Sequence, residues 1–540
     1  MRLRQDSAAG IVARVLRVTE RFPGTEAIVD GPVRISYAGL QREMLLSTRA
    51  AMAAGIGPGD RAAIWAPNGY RWMIAALGIL GAGAAIVPLS SRFKGGEAAH
   101  VLAKARPRTL FSVSGFLGYD YPAMLRDWLA AQPLAAQPLA PFDVVLLEGQ
   151  SAEGTSWDGY LAGVAEVSEG AARDRIAAVG GDQPSDILFT SGTTGRPKGA
   201  LATHAQVLRL FDSWAEIVGL RHGDRYLVVS PFWHTFGYKA GWLVSLMHGA
   251  TVIPMPVFDA AGLVEVCARE RVTFLSGAPT LLQELLQFPG RDRHDLSALR
   301  TTVTGGADIP VELIKRLRDE MTFETIITGY GLTETNGPAT ISRADDDPET
   351  IASFCGRAMP GTEMKIAGPG GAEVPRGELG EVAIRGFNVM AGYLDDPDAT
   401  AAAVNADGWL HTGDLGLMDA RGYLKVTRRL KDMYIVGGFN AYPAEIEDLL
   451  LGHEDIARAA VVGVPDDRLG EVGVAFVVPR PGAALTEREV IAWSRDRMSN
   501  YKVPRHVEVR DTLPANDVGK VMKDALRRDW LASVPRPGRP

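Results

Sequence analysis

The feature that most constrains the fold is an alternation of short apolar runs with longer segments of helical periodicity. Four of these runs are Arg61–Trp65, Ala84–Val87, Tyr226–Val229 and Ala250–Ile253. Short apolar runs separated by helical segments are typical of buried strands in mostly parallel sheets that helices cover. The sequence therefore predicts an α/β fold built of layered sheets.

The C-terminal part of the chain shows a different pattern. With 540 residues the chain exceeds what one hydrophobic core supports, so we expect at least two domains. After Arg429 the pattern changes to short strands, Ala459–Val464 and Gly473–Val478, and then to a helical segment, Glu487–Met498. The sequence predicts a large domain over residues 1–429 and a small α+β domain over residues 430–540.

One uncharged stretch, Trp72–Leu89, is long enough to suggest a membrane-spanning helix. Gly78, Gly81 and Gly83 interrupt this stretch and Pro88 lies near its end, so we expect a buried helix that turns through glycine into a strand. The glycines do not complete the GxGxxG pattern of dinucleotide-binding proteins. The first residues do not resemble a signal peptide. We therefore expect no transmembrane segment.

Charge and cysteine content disfavour several functional classes. A net charge of −7 gives no electrostatic sign of binding to nucleic acid or to an anionic membrane. The two cysteines, Cys267 and Cys355, are too few for a disulfide framework and lack the spacing of a metal site. We therefore expect a protein of the reducing cytoplasm.

The segment Leu188–Gly199 reads LFTSGTTGRPKG and has the composition of a phosphate-binding loop. Glycines let backbone N–H groups approach an anion, hydroxyls add neutral donors, and lysine adds a point charge. The spacing is not that of the Walker A motif. A flexible linker is the alternative, but the segment follows an apolar run and carries basic residues. We expect phosphate to contact Thr190, Ser191, Gly192, Thr193, Thr194, Gly195 and Lys198.

Several later segments extend this pattern in order along the chain. They are Tyr330–Glu334 (YGLTE), Gly408–Asp414 (GWLHTGD), Arg429–Asp432 (RLKD) followed by Gly437–Glu447, and Pro514–Lys520 (PANDVGK). Together with the phosphate loop they resemble the motifs of the adenylate-forming superfamily, in its acyl-CoA synthetase branch. The resemblance implies a large N-terminal domain of layered αβ sheets with a distorted β-barrel, and a small, mobile α+β C-terminal domain.

The resemblance implies an ATP-dependent ligase. Such an enzyme activates a carboxylic acid as acyl-AMP and transfers the acyl group to CoA, giving acyl-CoA, AMP and pyrophosphate. The alternatives are transfer to the phosphopantetheine of a carrier protein, oxygenation of the adenylate as in luciferases, a phosphotransferase that releases ADP, and a catalytically inactive binding scaffold. Product analysis separates the phosphotransferase from the ligase.

Roles for individual residues follow from the same resemblance. The phosphate loop would hold the β- and γ-phosphates, Glu334 would hold Mg²⁺, and Thr333 would reach the α-phosphate. Catalytic roles would fall to Thr190, Glu334 and Lys520. Thr333 and Glu334 could instead cap a helix. The adenine would lie between Tyr330 and the residues Gly305, Gly306 and Ala307, although Tyr330 could instead be a buried core tyrosine. Gly331 would also contact the nucleotide.

The ribose and the C-terminal domain have their own predicted residues. Asp414 and Arg429 would bind the ribose hydroxyls, although a bare Thr-Gly-Asp is also a common turn. Lys520 would bridge the substrate carboxylate and the phosphate, although most lysines are simply exposed. Lys431 would be the hinge about which the C-terminal domain turns between the two half-reactions. Gly437 and Gly438 would line a tunnel for the pantetheine arm of CoA.

The segment Pro231–Gly241 (PFWHTFGYKAG) resembles the aromatic segment beside the acyl pocket. His234, Phe236 and Gly331 would contact the acid substrate. The sequence of this segment is similar to that of actinobacterial ligases that act on steroid-derived ring propionates. A medium or long fatty acid is the alternative substrate. A simple core cluster is an equal alternative for the aromatic residues. Carboxylic acid and CoA are the expected partners, and a homodimer is the default assembly of such enzymes.

Overall fold

The computed structural model describes residues 8–131, 139–190, 197–305, 309–429, 433–480, 482–514 and 521–533, without the side chains of Arg428, Arg429 and Ala444. These residues fall into two compact units. The first lies within Met1–Ser91, Ala98–Thr190 and Gly199–Arg428, and the second within Arg92–Glu97, Ser191–Lys198 and Arg429–Pro540. The longest stretch of the second unit begins next to the predicted boundary after residue 429, which stays a prediction.

The strands are short, as the apolar runs of the sequence indicate. In chain order they are β1 (Glu26–Asp30), β2 (Val33–Ser36), β3 (Arg61–Trp65), β4 (Ala85–Pro88), β5 (Thr109–Phe116), β6 (Tyr119–Asp120), β7 (Asp143–Glu148), β8 (Thr155–Ser156), β9 (Pro184–Thr190), β10 (Lys198–Thr203), β11 (Arg225–Val228), β12 (Thr251–Pro254), β13 (Phe274–Gly277), β14 (Thr301–Gly305), β15 (Thr325–Leu332), β16 (Gly337–Ile341), β17 (Arg357–Ala358), β18 (Thr362–Ala367), β19 (Gly380–Gly386), β20 (Gly392–Tyr393), β21 (Leu410–Met418), β22 (Leu424–Arg429), β23 (Tyr434–Val436), β24 (Phe439–Ala441), β25 (Ile456–Asp466), β26 (Gly470–Pro479) and β27 (His506–Val509).

Helices alternate with these strands. They are α1 (Ile11–Arg21), α2 (Tyr37–Ala53), α3 (Tyr70–Ala82), α4 (Gly95–Ala105), α5 (Tyr121–Ala130), α6 (Trp157–Ala162), α7 (Glu169–Ala178), α8 (His204–Val218), α9 (Thr235–Gly237), α10 (Val244–His248), α11 (Ala260–Arg269), α12 (Pro279–Gln287), α13 (Val311–Glu320), α14 (Pro348–Ser353), α15 (Pro397–Ala403), α16 (Pro443–Leu450), α17 (Glu487–Arg497) and α18 (Lys523–Ser533). A π-helical turn, Tyr238–Leu243, joins α9 to α10, and 3₁₀ turns occur at Gly163–Glu166, Arg291–Arg293 and Thr333–Thr335.

Two nine-stranded sheets form most of the first unit. One has the order β17-β16-β15-β14-β13-β11-β12-β1-β2, and the other has the order β20-β10-β9-β4-β3-β5-β7-β8 with β6 beside β5. Their central strands pair in parallel, for example β13 with β14 and β3 with β5. Because the carboxyl ends of parallel strands meet at one edge of a sheet, loops that follow β14 and β15 are brought together.

The core of the first sheet shows why its central strands are continuous apolar runs. Strands covered by helices on both faces bury every side chain, so they do not alternate between apolar and polar residues. Leu227 and Leu275 are fully buried between strands and helices there, and Cys267 on α11 is 1% exposed in the same cluster. Burial raises the pKa of the Cys267 thiol to about 12. That cysteine is therefore an apolar core residue rather than a metal ligand.

The stretch Trp72–Leu89 forms the predicted helix and strand. Helix α3 ends at Ala82, and Gly83 has the left-handed φ of 90° that turns the chain into β4. Ser47 and Thr48 of α2 lie so close to Gly78 and Gly81 that a β-carbon at either glycine would overlap them. Within the described residues, no helix is long and apolar enough to cross a membrane.

A smaller antiparallel sheet follows in the first unit, with the order β18-β19-β21-β22. In the second unit, β24, β23, β26 and β25 form an antiparallel sheet, and β27 pairs in parallel with β26. Helices α16, α17 and α18 belong to the same unit. The predicted α+β character of the C-terminal part is confirmed.

Candidate active site

The predicted phosphate and metal residues meet at the ends of two strands. Strand β9 ends at Thr190, and β15 ends at Leu332, directly before the 3₁₀ turn that carries Thr333 and Glu334. The hydroxyl of Thr190 donates to Oε1 of Glu334 at 3.5 Å. The structure therefore brings together two of the three predicted catalytic residues, although 144 positions separate them in the sequence.

Two residues that the sequence did not indicate hold Glu334 in place. The hydroxyl of Tyr393 donates to Glu334 Oε1 at 2.8 Å, and the backbone N–H of Met390 donates to the backbone oxygen of Glu334 at 2.8 Å. Tyr393 lies on β20, which pairs with β10 directly after the phosphate loop. No motif points to Tyr393, because the contact depends on the pairing of strands that are almost 200 residues apart.

Hard oxygen atoms surround this carboxylate. Oxygen donors of this kind suit Mg²⁺, which in nucleotide enzymes takes one or two protein carboxylates and completes its shell with phosphate and water. Among the described residues, no group of three or more His, Cys, Asp and Glu side chains could hold a metal ion. A single carboxylate together with a substrate phosphate therefore fits the donor set around Glu334 better than a closed protein metal site does.

The predicted adenine and ribose residues are joined directly. Asp414 lies on β21 and is 1% exposed, and the hydroxyl of Tyr330 donates to its Oδ2 at 2.5 Å. Tyr330 is partly buried, and its side chain packs against a hydrophobic cluster that includes Ala339 and Leu410. The contact fixes the orientation of both side chains before a nucleotide binds.

Glycines make room beside Tyr330. Strands β14 and β15 pair Gly305 with Gly329, and a β-carbon on Gly305 would lie 3.0 Å from the oxygen of Gly329. A β-carbon on Gly331 would lie 2.0 Å from the oxygen of Gly337. Gly331 therefore has a structural reason to be glycine, besides its predicted contacts with adenine and substrate.

The aromatic segment divides into a buried and an exposed part. Phe232 is fully buried and packs edge-to-face against Trp72, with ring centroids 5.5 Å apart. His234 is exposed and Phe236 is partly exposed. The core alternative therefore holds for Phe232, whereas His234 and Phe236 remain candidates for contact with the acid.

His234 has a defined protonation state. Its Nδ1 accepts the backbone N–H of Phe236 at 3.2 Å, so the proton of the neutral ring lies on Nε2. Desolvation by the protein packed around the ring lowers the pKa of His234 to about 4, even though part of the side chain is exposed to solvent. A neutral ring at pH 7 follows in either environment, because the ordinary pKa of about 6.5 is already below 7.

The glycine pair predicted to line the CoA tunnel forms a hairpin turn. Gly437 and Gly438 connect β23 to β24, and their φ angles are 55° and 84°. Two consecutive left-handed residues define the type I′ turn, which favours glycine at both positions. The turn alone accounts for these glycines, and their contact with CoA stays a prediction.

Several predicted site residues lie outside the described part of the chain. Arg429 is the last residue of β22, but its side chain is not described. Lys198 is described and is the first residue of β10. The predicted residues outside the described ranges are Ser191, Gly192, Thr193, Thr194, Gly195, Gly306, Ala307, Lys431 and Lys520.

Two family profiles match the chain. The profile described as AMP-binding enzyme matches residues 15–394, and the profile described as AMP-binding enzyme C-terminal domain matches residues 445–520. The chain belongs to the AMP-binding enzyme family. The enzyme class and the superfamily predicted from the motifs are thereby confirmed.

Two relatives of this AMP-binding enzyme carry the name 3-[(3aS,4S,7aS)-7a-methyl-1,5-dioxo-octahydro-1H-inden-4-yl]propanoyl:CoA ligase. The relative from Rhodococcus jostii (strain RHA1) is 44% identical over 516 residues, which cover 95% of this chain and 97% of the relative. The relative from Mycobacterium tuberculosis (strain ATCC 25618 / H37Rv) is 46% identical over 517 residues, which cover 96% of this chain and 98% of the relative. The narrower resemblance to ring-propionate ligases is confirmed.

A solved structure shares the fold of this AMP-binding enzyme. The amide bond synthetase McbA from Marinactinospora thermotolerans superposes with a TM-score of 0.83 at 30% identity, covering 96% of this chain and 99% of McbA. The predicted α/β fold class, with a large N-terminal and a small C-terminal part, is confirmed.

Proposed function

We propose that the carboxylic acid activated by this acyl-CoA ligase is a bicyclic ring propionate. The observation that carries this proposal is the 44% and 46% identity to two ligases named for such an acid, over 95% and 96% of the chain. The partly exposed aromatic side chain of Phe236 and the neutral ring of His234 are suited to an apolar acid with a carboxylate end.

The reaction proceeds in two steps. A carboxylate does not react with a thiol at neutral pH, because its oxygens are poor leaving groups and its charge repels the thiolate. In the first step a carboxylate oxygen attacks the α-phosphorus of ATP, and the bond from that phosphorus to the bridging oxygen of pyrophosphate breaks. In the second step the sulfur of CoA attacks the acyl carbon and AMP leaves. The protein positions these reactants and compensates negative charge.

We assign the nucleotide to the residues that the fold brings together. Tyr330 orients the Asp414 carboxylate, which accepts hydrogen bonds from the ribose hydroxyls. Thr190 and Tyr393 orient the Glu334 carboxylate by hydrogen bonds, and this carboxylate would hold Mg²⁺ together with the phosphates. When bound, Mg²⁺ reduces the charge on the phosphates that the acid must approach.

Two further roles belong to single residues. Lys520, outside the described residues, supplies a positive charge between the substrate carboxylate and the α-phosphate during adenylation. His234 is neutral, so its Nε2–H can donate to the acid without adding a charge that would hold the carboxylate away from phosphorus.

A panel of acids tests the proposed substrate. Purified enzyme receives ATP, Mg²⁺ and either the bicyclic ring propionate or fatty acids of graded length, and AMP and ADP are measured with and without CoA. We expect the ring propionate to give the highest kcat/KM for AMP release, with acyl-CoA as product. Faster turnover of a fatty acid would contradict the substrate assignment, and release of ADP would contradict adenylation.

Two additions sharpen the same experiment. An amine in place of CoA tests whether the adenylate is passed to nitrogen, the reaction named for McbA. Lys520→Ala should abolish most AMP release from ATP and the acid, while the conversion of supplied acyl adenylate and CoA to acyl-CoA and AMP should remain. Wild-type rates of AMP release in that variant would contradict the role of Lys520.

A further inference from the structure

The first unit also contains a buried ion pair, besides the residues that we assign to the nucleotide. Nζ of Lys239 lies 2.8 Å from Oδ1 of Asp186, and both side chains are only 1% exposed. Burial lowers the pKa of Lys239, and the Asp186 carboxylate opposes that effect by favouring the charged ammonium. Replacing such a pair by apolar side chains often costs no stability. Stability alone therefore does not explain a charge at this position.

The two partners come from segments that lead into the site. Asp186 lies on β9, four residues before Thr190, and Lys239 lies within the aromatic segment, where the π-helical turn Tyr238–Leu243 begins. π-Helical turns interrupt the regular spacing of a helix and occur often at functional sites. Here the turn directs a lysine into an otherwise aromatic cluster of Trp72, Tyr238 and Trp242.

The same ammonium reaches the turn that carries Glu334. Nζ of Lys239 donates to Oδ1 of Asn336 at 3.1 Å. Asn336 ends the 3₁₀ turn Thr333–Thr335 with a left-handed φ of 58°, and its backbone N–H donates to the oxygen of Thr333 at 2.9 Å. Three segments of the site therefore converge on one cation.

The side-chain amide of Asn336 extends this hydrogen-bond network to a segment that contacts Glu334. Its Nδ2 donates to the backbone oxygen of Asn388 at 3.1 Å. The segment that begins at Asn388 then holds Glu334 twice, through the backbone of Met390 and the hydroxyl of Tyr393. The Asn336 side chain therefore links the Lys239 ammonium to the segment that holds Glu334.

We infer that Lys239 is a positioning residue for adenylation, which fixes Glu334 relative to Thr190 by binding Asn336 and Asp186 at once. This inference rests on the metal- and phosphate-binding role proposed above for Glu334. It explains why a charged residue is retained in a fully buried aromatic cluster, and it assigns no contact between Lys239 and a substrate.

The test measures pyrophosphate exchange and its dependence on free Mg²⁺, with the acid of the panel that supports the fastest AMP release. Lys239→Met should lower kcat roughly 10- to 100-fold, because displacement of a catalytic group by about 1 Å has effects of that size. It should also raise the free Mg²⁺ concentration required for half-maximal rate. The KM for the acid should change little.

A second variant covers the case in which Lys239→Met does not fold. Asn336→Gly keeps the ion pair, tolerates the left-handed φ, and removes only the amide that links Lys239 to the turn. We expect it to reproduce the loss of kcat and the higher Mg²⁺ requirement.

Arg14→Met is the matched control. It breaks another ion pair of the first unit, in which Arg14 Nη2 lies 3.0 Å from Asp212 Oδ1 and which joins α1 to α8. We expect a lower melting temperature for this control and wild-type kinetics.

A double-variant cycle with Glu334→Gln separates positioning from general loss of stability. If Lys239 acts through the carboxylate, Lys239→Met should cost less than about twofold once that carboxylate is gone, since coupled residues are not additive. Fully additive losses, or wild-type kinetics in both Lys239→Met and Asn336→Gly, would overturn the inference. Wild-type activity of Glu334→Gln alone would instead overturn the site assignment on which the inference rests.

Discussion

Tyr330 and Asp414 belong to different sequence motifs, yet one hydrogen bond joins them. A carboxylate buried to 1% exposure requires hydrogen-bond donors, and the tyrosine hydroxyl supplies one of them. A residue expected to stack on adenine thus also orients the residue expected to bind ribose. This coupling gives Tyr330 a role that a phenylalanine at the same position could not fill.

Tyr330→Phe should weaken nucleotide binding. We expect the KM for ATP to rise roughly 10-fold, since a hydrogen bond to a charged group contributes about 1.5 kcal/mol or more, while the KM for the acid stays close to that of the wild type. Tyr423→Phe is a matched control, because the Tyr423 hydroxyl donates to Asp346 at 2.6 Å in the same unit. An equal rise in the KM for ATP in both variants would contradict the specific role of Tyr330.

His204 makes the stability of the protein depend on pH. Its side chain is fully buried and its Nδ1 accepts the backbone N–H of Ile11 at 3.2 Å. Burial lowers the pKa of His204 to about 4. Because this value lies below the ordinary value of about 6.5, the contribution is fully present above pH 6.5 and is lost as the pH falls towards 4.

His204→Gln should reduce that dependence. Between pH 6.5 and pH 4 the wild type should lose up to about 1.4 kcal/mol of unfolding free energy per pH unit through this histidine, and the variant should lack this contribution. Urea unfolding of both proteins at several pH values measures the difference in slope. Parallel slopes would show that His204 does not bind its proton on unfolding.

At the scale of elements, two different requirements would each favour glycine in the turn between β23 and β24. Both glycines adopt left-handed φ angles, which other residues adopt at a cost of about 1 kcal/mol or more. A pantetheine tunnel would require the absence of a side chain for a different reason. Asparagine distinguishes the two requirements, because it tolerates the conformation but adds volume.

Gly438→Asn should therefore keep the hairpin and slow only the CoA-dependent step. We expect an unchanged melting temperature, wild-type pyrophosphate exchange and a reduced rate of acyl-CoA formation. Gly422→Asn is the control, because Gly422 has a φ of 84° in an exposed turn between β21 and β22. Unimpaired acyl-CoA formation in Gly438→Asn would remove Gly438 from the predicted tunnel.

The elements also show what a single sequence can and cannot predict. Arg61–Trp65 forms β3 over its full predicted length, and α3 ends directly before Gly83, one of the three glycines of the apolar stretch, because both features depend on the local sequence. Thr190 was predicted from the composition of its loop, and Glu334 from the resemblance of its motif to the adenylate-forming superfamily. Tyr393 and Asn336 were not, since their roles arise from strand pairing and from hydrogen bonds between distant segments. For Lys239 the sequence offers one indication, which is a charged residue within an aromatic segment.

At the scale of the whole molecule, two half-reactions require different contributions from the C-terminal part. Adenylation depends on Lys520 in our proposal, and thioester formation depends on the predicted hinge at Lys431. Hinges are a few residues that absorb a change in backbone angles, and proline removes that freedom by fixing φ.

Lys431→Pro should separate the two steps. We expect pyrophosphate exchange to remain within about threefold of the wild type and thioester formation to fall by roughly 100-fold or more, because the backbone can no longer rotate at this position. Rapid-quench assays of each half-reaction measure the two rates. Lys431→Ala keeps backbone freedom and serves as the control, and an equal loss of both rates in the proline variant would contradict the hinge.

The burial of Cys267 provides an experimental test for the predicted rearrangement of the C-terminal part. The chain has two cysteines, both before residue 429, and the thiol of Cys267 is enclosed in the core with its pKa raised to about 12. Maleimide dyes, which react with accessible thiolates, should spare it. Once Cys355 is changed to serine, a thiol introduced into the C-terminal part can carry a fluorophore of defined location. Conformational exchange during turnover then becomes observable in single molecules.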